Sequence, residues 1–221
     1  MANDATEPRT RVEQTVEAIR ADIVAGALSP GSRLGVDKLK ERYGVGASTI
    51  REALSLLSAD ALVVVEGQRG FRVSELSADD FRDLNNARQL LESHALRQSI
   101  ERGDDEWEAS VVAAYHRLSR ANQRMHDGVE GAFGEWEARN REFHEALVSR
   151  CTSQWILSML QTLNQHSERY RRAALAANAP RDVHAEHTAL MDAALARDAD
   201  RAVAVLTDHL MTTVQVIADA H

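Results

Sequence analysis

Cysteine is almost absent: Cys151 stands alone in 221 residues, so the chain cannot close an internal disulfide. No apolar run approaches the ~20 residues that cross a bilayer. The opening MANDATEPRTR carries acid early and has no apolar signal core. These absences predict a cytoplasmic protein. Enzyme signatures are missing as well. There is no Walker loop, dinucleotide fingerprint or nucleophile elbow, and HAEH at 184–187 has the wrong spacing for either HExxH or HxxEH. Cys151 has no activating base near it in sequence and reads as inert. Glycine stops at Gly134, which predicts long uninterrupted helices toward the C-terminus. Internal repeats and low-complexity segments are also absent.

What is present is unevenly distributed. Hydrophobic residues make up 44% of the chain, enough for one large core or two modest ones. The formal net charge is -8, yet residues 8–74 hold ten basic and eight acidic side chains, whereas residues 75–221 hold sixteen and twenty-four. A slightly basic N-terminal part that can meet phosphates precedes an acidic part that does not. Seven of the eleven glycines lie between Gly26 and Gly70, so turns concentrate in the first third. We therefore expect two domains, 8–74 and 75–221.

Within residues 11–25, Val12, Val16, Ile19, Ile23 and Val24 recur on one helical face, and Gly26 ends the helix. Pro30-Gly31 makes a tight turn. Asp37 suits the N-cap of KLKERYG, which Gly44 terminates. In the next helix Ile50, Ala53, Leu54 and Leu57 share a face, and Arg51 points elsewhere. The only β-rich stretch, LVVVEGQRGFRV at 62–73, reads as two strands around a glycine turn. Three short helices followed by a ribbon make a winged helix-turn-helix. The free N–H groups at the third helix start, with Ser48 and Thr49, suit a phosphate. Arg51 suits a phosphate or a guanine edge. Gly67, Gln68 and Arg69 form a wing tip suited to a minor groove. A small helical subdomain without DNA is the alternative; helices, ribbon and basic residues together favour DNA.

The runs GALSPGSRL and STIREALSLLSADALVVVEGQRGFRV resemble the DNA-binding domain of the GntR superfamily, whose usual form is a G-x-L-x-P-G-x-x-L turn, an R-E-A-L helix and a glycine wing. The resemblance covers residues 11–73. It implies that Arg33, Ser48, Thr49, Arg51 and the wing at Gly67 contact DNA. Many members carry a Ser/Thr-Arg pair where this chain has Gly46-Ala47, which removes one base or phosphate contact.

From Ser77, a suitable cap ahead of Asp79 and Asp80, the chain reads as about six helices. Breaks are expected near Gly103, at Gly128–Gly134, at Cys151–Ser153 and at Asn178–Pro180, giving an all-α bundle. Histidines interrupt three apolar stripes. Asn140 and His144, at i and i+4, share a face with Trp136, Phe143 and Leu147. His187 shares one with Leu190, Met191 and Ala194. His209 lies beside Leu206, Thr213 and Val216. A single inward histidine is ordinarily a satisfied core residue. Three with an amide partner suit a divalent transition metal such as zinc or nickel. His184, three residues before His187, competes for a ligand role. His94, His116, His126, His166 and His221 belong to no such constellation.

The segments ARQLLE, NREFHEALV and EHTALMDAALARDADRAVAVLTDHL resemble the FCD effector domain of the FadR subgroup. The resemblance implies metal ligands at Asn140, His144, His187 and His209, the first of which is normally aspartate. It also implies that Arg88 holds an effector carboxylate. A guanidinium fork fits a carboxylate bidentately; a surface ion pair with Glu92 at i+4 is the competing reading. Tyr170 and Arg171, on one helical face with Leu160, Leu163 and Ser167, are candidates for holding a second carboxylate. GDDEWEASVVAAYHRLSR, SERYRR and LARDADRA look most like the CsiR-type repressors, which implies glutarate or a related dicarboxylate. The expectation is a mainly α protein, a winged helix-turn-helix followed by an FCD-like bundle. It would act as a homodimeric, ligand-responsive repressor on double-stranded operator DNA. A direct metal sensor is one rival. A metal-dependent hydrolase using the histidines is another, but no motif supplies its general base.

Overall fold

The computed structural model describes residues 9–174 and 182–219. They fall into two compact units divided between Ser77 and Ala78. In the first, Thr10 caps helix α1 (Arg11–Val24): its hydroxyl accepts from the Glu13 amide, and the Glu13 carboxylate accepts from the Thr10 amide. Strand β1 (Arg33–Leu34) leads into α2 (Val36–Tyr43) and α3 (Ala47–Ala59). Asp37 does not cap α2 as expected. β1 ends at Leu34 and the helix starts at once, so Gly35 occupies the cap and Asp37 falls in the first turn. There it still faces the positive end of the helix dipole. Gly44, at φ 65°, closes α2 by donating to the Lys40 carbonyl, a left-handed conformation that glycine adopts without strain.

Strands β2 (Val63–Val65) and β3 (Phe71–Val73) flank a tight helical turn at Gly67–Arg69. The sheet has three strands in the order β1-β3-β2, all antiparallel. The two-residue β1, with Leu34 opposite Phe71, has no periodicity from which to expect it. Ile19, Ile50, Leu54, Leu57 and Leu62 are fully buried between the helices and the sheet. That core uses the predicted inner face of α3 and leaves its other face outside.

Among the described residues the regular elements of the second unit are all helices: α4 (Ala78–Arg102), α5 (Asp105–His126), α6 (Ala132–Val148), α7 (Gln154–Ala174), α8 (Val183–Leu195) and α9 (Ala199–Asp219). The break before α6 is shorter than expected, and Gly134 lies inside the first turn of the helix. The expected break at Asn178–Pro180 lies outside the described residues. Gly103 separates α4 from α5 because nothing larger fits: a Cβ there would stand 2.3 Å from the Trp107 ring. Helix α4 packs against α7 and α9, and α5 against α6 and α8. Leu96, Trp107, Leu118, Phe143, Leu147, Leu190 and Leu206 form the core between them. Among the described residues, no helix is long and apolar enough to cross a membrane.

Candidate functional site

The first unit presents an outer edge made by the start of α3 and by the wing. Gly46 caps α3 without a side-chain hydrogen bond. The first amides of the helix therefore keep their hydrogen-bonding capacity for an outside acceptor. Ser48 and Arg51 are exposed and Thr49 is half-buried. Arg33 and Arg69 are exposed on β1 and at the wing turn beside Gly67. The side chain of Gln68 lies outside the described part. Arg72, which the sequence did not single out, braces the wing from within. Its Nε donates to Glu66 at 2.9 Å and a terminal nitrogen donates to the Gly31 carbonyl. That hydrogen bond, with the charges of Arg72, Arg33 and Arg69, holds the Glu66 carboxyl below its ordinary range. The acid of the wing is thus neutralised at its base, leaving the cations at the tip to act outward.

In the second unit the histidines of three helices converge. His144 on α6, His187 on α8 and His209 on α9 offer nitrogens that all lie within 4.8 Å of one another. Their ring centroids are 4.9–5.7 Å apart. His184 is not among them; it stacks on Tyr115. Asn140, one turn before His144, is 5% exposed, and its Oδ1 has no hydrogen-bond partner among the described residues. Two carboxylates orient the rings; the sequence alone suggests Glu92 only as a partner of Arg88 and does not single out Glu186. His144 Nδ1 lies 2.7 Å from Glu92, and His209 Nδ1 lies 2.7 Å from Glu186. An ionised carboxylate only accepts, so each Nδ1 carries a proton, and in the neutral ring Nε2 is the nitrogen with the free lone pair. This arrangement orients metal-binding histidines. Three imidazole nitrogens this close together suit zinc or nickel, and the Asn140 amide oxygen, one turn away on α6, is a donor of a type such ions accept.

Glu92 links this cluster to Arg88. The Arg88–Glu92 pair is 2.9 Å long, and the two side chains are only 4% and 3% exposed. The competing reading of Arg88, an ion pair with Glu92, does form, but inside the bundle and not on the surface, because the same face of α4 carries Phe81, Asn85 and Leu96 into the core. Burial pushes the Glu92 carboxyl up, but the charge of Arg88 and the hydrogen bond from His144 outweigh it and hold the group at about 2. Arg88 also donates to Ser167 Oγ at 3.2 Å, while its Nε has no partner among the described residues. Arg171 is clamped by Glu137 through two bonds of 2.8 Å, close enough to Arg88 to influence its charge. Tyr170 turns away from this cluster: its hydroxyl donates to Asp80 and its ring stacks on Phe81.

Comparison with known proteins assigns both units. Residues 11–73 match the family described as bacterial regulatory proteins, gntR family, and residues 83–212 match the FCD domain. The chain belongs to the GntR family and carries an FCD domain. It is 51% identical over 95% of its length to the HTH-type transcriptional regulator BphR of Paraburkholderia xenovorans, covering 86% of that protein. It is 37% identical over 91% of its length to the HTH-type transcriptional repressor GlaR of Escherichia coli, covering 93% of it. Among solved structures, Escherichia coli McbR/YncC superposes with a TM-score of 0.79 at 20% identity, over 96% of this chain and 99% of that one. This GntR regulator is therefore a DNA-binding transcription factor with a ligand-binding helical domain, and the hydrolase reading is set aside.

Proposed function

We propose that this GntR regulator is a repressor that leaves its operator when a small dicarboxylate, with glutarate as the lead, binds beside a metal in the FCD domain. The observation that carries this reading is the continuous buried path Arg88–Glu92–His144. It joins an arginine suited to a carboxylate to a cluster suited to a metal. His144, His187, His209 and Asn140 would hold zinc or nickel, which supplies a Lewis-acidic anchor for a carboxylate oxygen. Arg88 would hold the effector through its remaining donor capacity. Arg171, held by Glu137, would frame the site, whereas Tyr170, committed to Asp80 and Phe81, is left out of it. The 37% identity to the repressor GlaR supports the sign of regulation. The ligand acts by favouring a state that fits the operator less well.

The deciding measurement is fluorescence anisotropy of the protein on its own upstream DNA, at fixed salt, titrated with glutarate. Release at sub-millimolar ligand is expected. Specific binding that ignores glutarate but responds to chelation alone would replace this reading with a direct metal sensor.

The protein acts as a homodimer, in this reading, because a two-fold protein matches a two-fold operator. Helix α7 exposes Trp155 (78%) and Met159 (50%) one turn apart, and α4, packed beside it, exposes Leu90 (75%). Apolar side chains this large and this exposed fit a face that a second copy covers. Trp155→Glu is expected to convert the dimer to the 24.4 kDa chain in light scattering. An unchanged dimer mass would remove this face from the interface.

A further inference from the structure

The donor set of the histidine cluster has an unusual charge count. In the form that ligates a metal, the three imidazoles are neutral, and the Asn140 amide brings no charge either. The ionised groups beside them cancel in pairs: Glu92 with Arg88 at 2.9 Å, and Glu137 with Arg171 at 2.8 Å. Glu186, which orients His209, keeps a quarter of its side chain exposed. A divalent ion entering this position would bring two charges into a buried place whose ligands offset neither of them. Buried charge is costly unless it is paired. At the same time Asn140 Oδ1, 5% exposed and without a hydrogen-bond partner among the described residues, is a buried acceptor waiting for a cation. The arginines do not remove the need for an anion at the metal. The fork of Arg171 is filled by Glu137, and Arg88 retains an unpartnered Nε on the Glu92 side of the cluster.

We infer that Asn140 makes metal and effector mutually dependent: the neutral donor set binds a divalent metal tightly only when a carboxylate ligand completes its charge. This rests on the metal-and-carboxylate reading above. The metal then serves less as a permanent fixture than as half of a two-part ligand. Thermodynamic linkage makes the dependence reciprocal: the factor by which the carboxylate tightens the metal is the factor by which the metal tightens the carboxylate. An aspartate at 140 would supply one charge of its own, tighten the metal alone and weaken the coupling. Asn140 is thus a residue that sets the regulation of the site as well as its composition.

The test measures zinc affinity by competition with a chromophoric chelator, for the full chain and for Asn140→Asp, Asn140→Ala and His144→Ala. Each protein is assayed alone, with glutarate and with acetate. The native chain is expected to bind zinc at least tenfold tighter with a carboxylate present. Asn140→Asp is expected to bind zinc at least tenfold tighter than the native chain without carboxylate, and to gain less from adding it. Asn140→Ala, which keeps the fold question separate from the charge question, is expected to lose at least tenfold. Asn140→Asp no tighter than native, or native zinc affinity indifferent to both carboxylates, overturns the inference and leaves His144-dependent metal binding standing. A response to acetate and not to glutarate upholds the coupling and removes glutarate as the lead. Zinc binding that survives His144→Ala unchanged removes the metal site, and the inference falls with it.

Discussion

Glu92→Ala is expected to destabilise the helical domain by about 3–5 kcal/mol, the cost of breaking a buried ion pair by deleting one partner. Glu92 is 2% exposed and serves Arg88 and His144 at once. Removing it leaves a guanidinium inside the bundle with Ser167 as its hydrogen-bond partner among the described residues, and an imidazole N–H that has lost its carboxylate. All three tryptophans, Trp107, Trp136 and Trp155, lie in the helical unit, so urea unfolding followed by their fluorescence reports this domain. Glu92→Gln keeps an acceptor for His144 but not the charge, and is expected to fall between the two. A loss under ~1 kcal/mol for the alanine variant would mean that water replaces the carboxylate, as it does for exposed pairs. Acid sensitivity has a fixed sign. Glu92 sits at about 2 in the fold against an ordinary 4.5. Its contribution is therefore fully present above about 4.5 and fades as pH falls toward about 2.

Arg51→Ala is expected to weaken operator binding by about 1–3 kcal/mol, the range for losing a bidentate base contact. Arg51 is exposed on α3, the residue after buried Ile50, and makes no ion pair among the described residues. Its guanidinium therefore needs no internal bond broken before it reaches DNA. The variant separates two roles. If Arg51 reads a guanine, affinity falls on the operator far more than on random duplex, and discrimination at one base pair relaxes. If it holds a phosphate, both duplexes weaken together and the salt dependence flattens by about one ion. Unchanged affinity on both would take α3 out of the reading role. The fold itself is not at risk, because Ile50, Ala53, Leu54 and Leu57 carry the burial of this helix.

Local patterning along the chain was enough to read the two-unit order, the winged helix-turn-helix and the helical bundle. Those follow from local rules: apolar spacing selects a helical face, and glycines stop helices and shape the wing. The inward positions of Asn140, His144, His187 and His209 were legible for the same reason, since each sits in an apolar stripe. Tertiary structure alone decided which polar partners those residues meet. Glu186 precedes His187 in sequence yet orients His209 on the next helix. Glu137 lies one turn before Asn140 and clamps Arg171 on α7. Neither pairing has a periodic signature, because a hydrogen bond between helices depends on their rotation and offset, which no single helix encodes. Burial altered one competing reading in the same way. Arg88 and Glu92 at i and i+4 look like a solvated pair in sequence. Packing of α4 against α7 and α9 placed that pair inside, with Glu92 against His144.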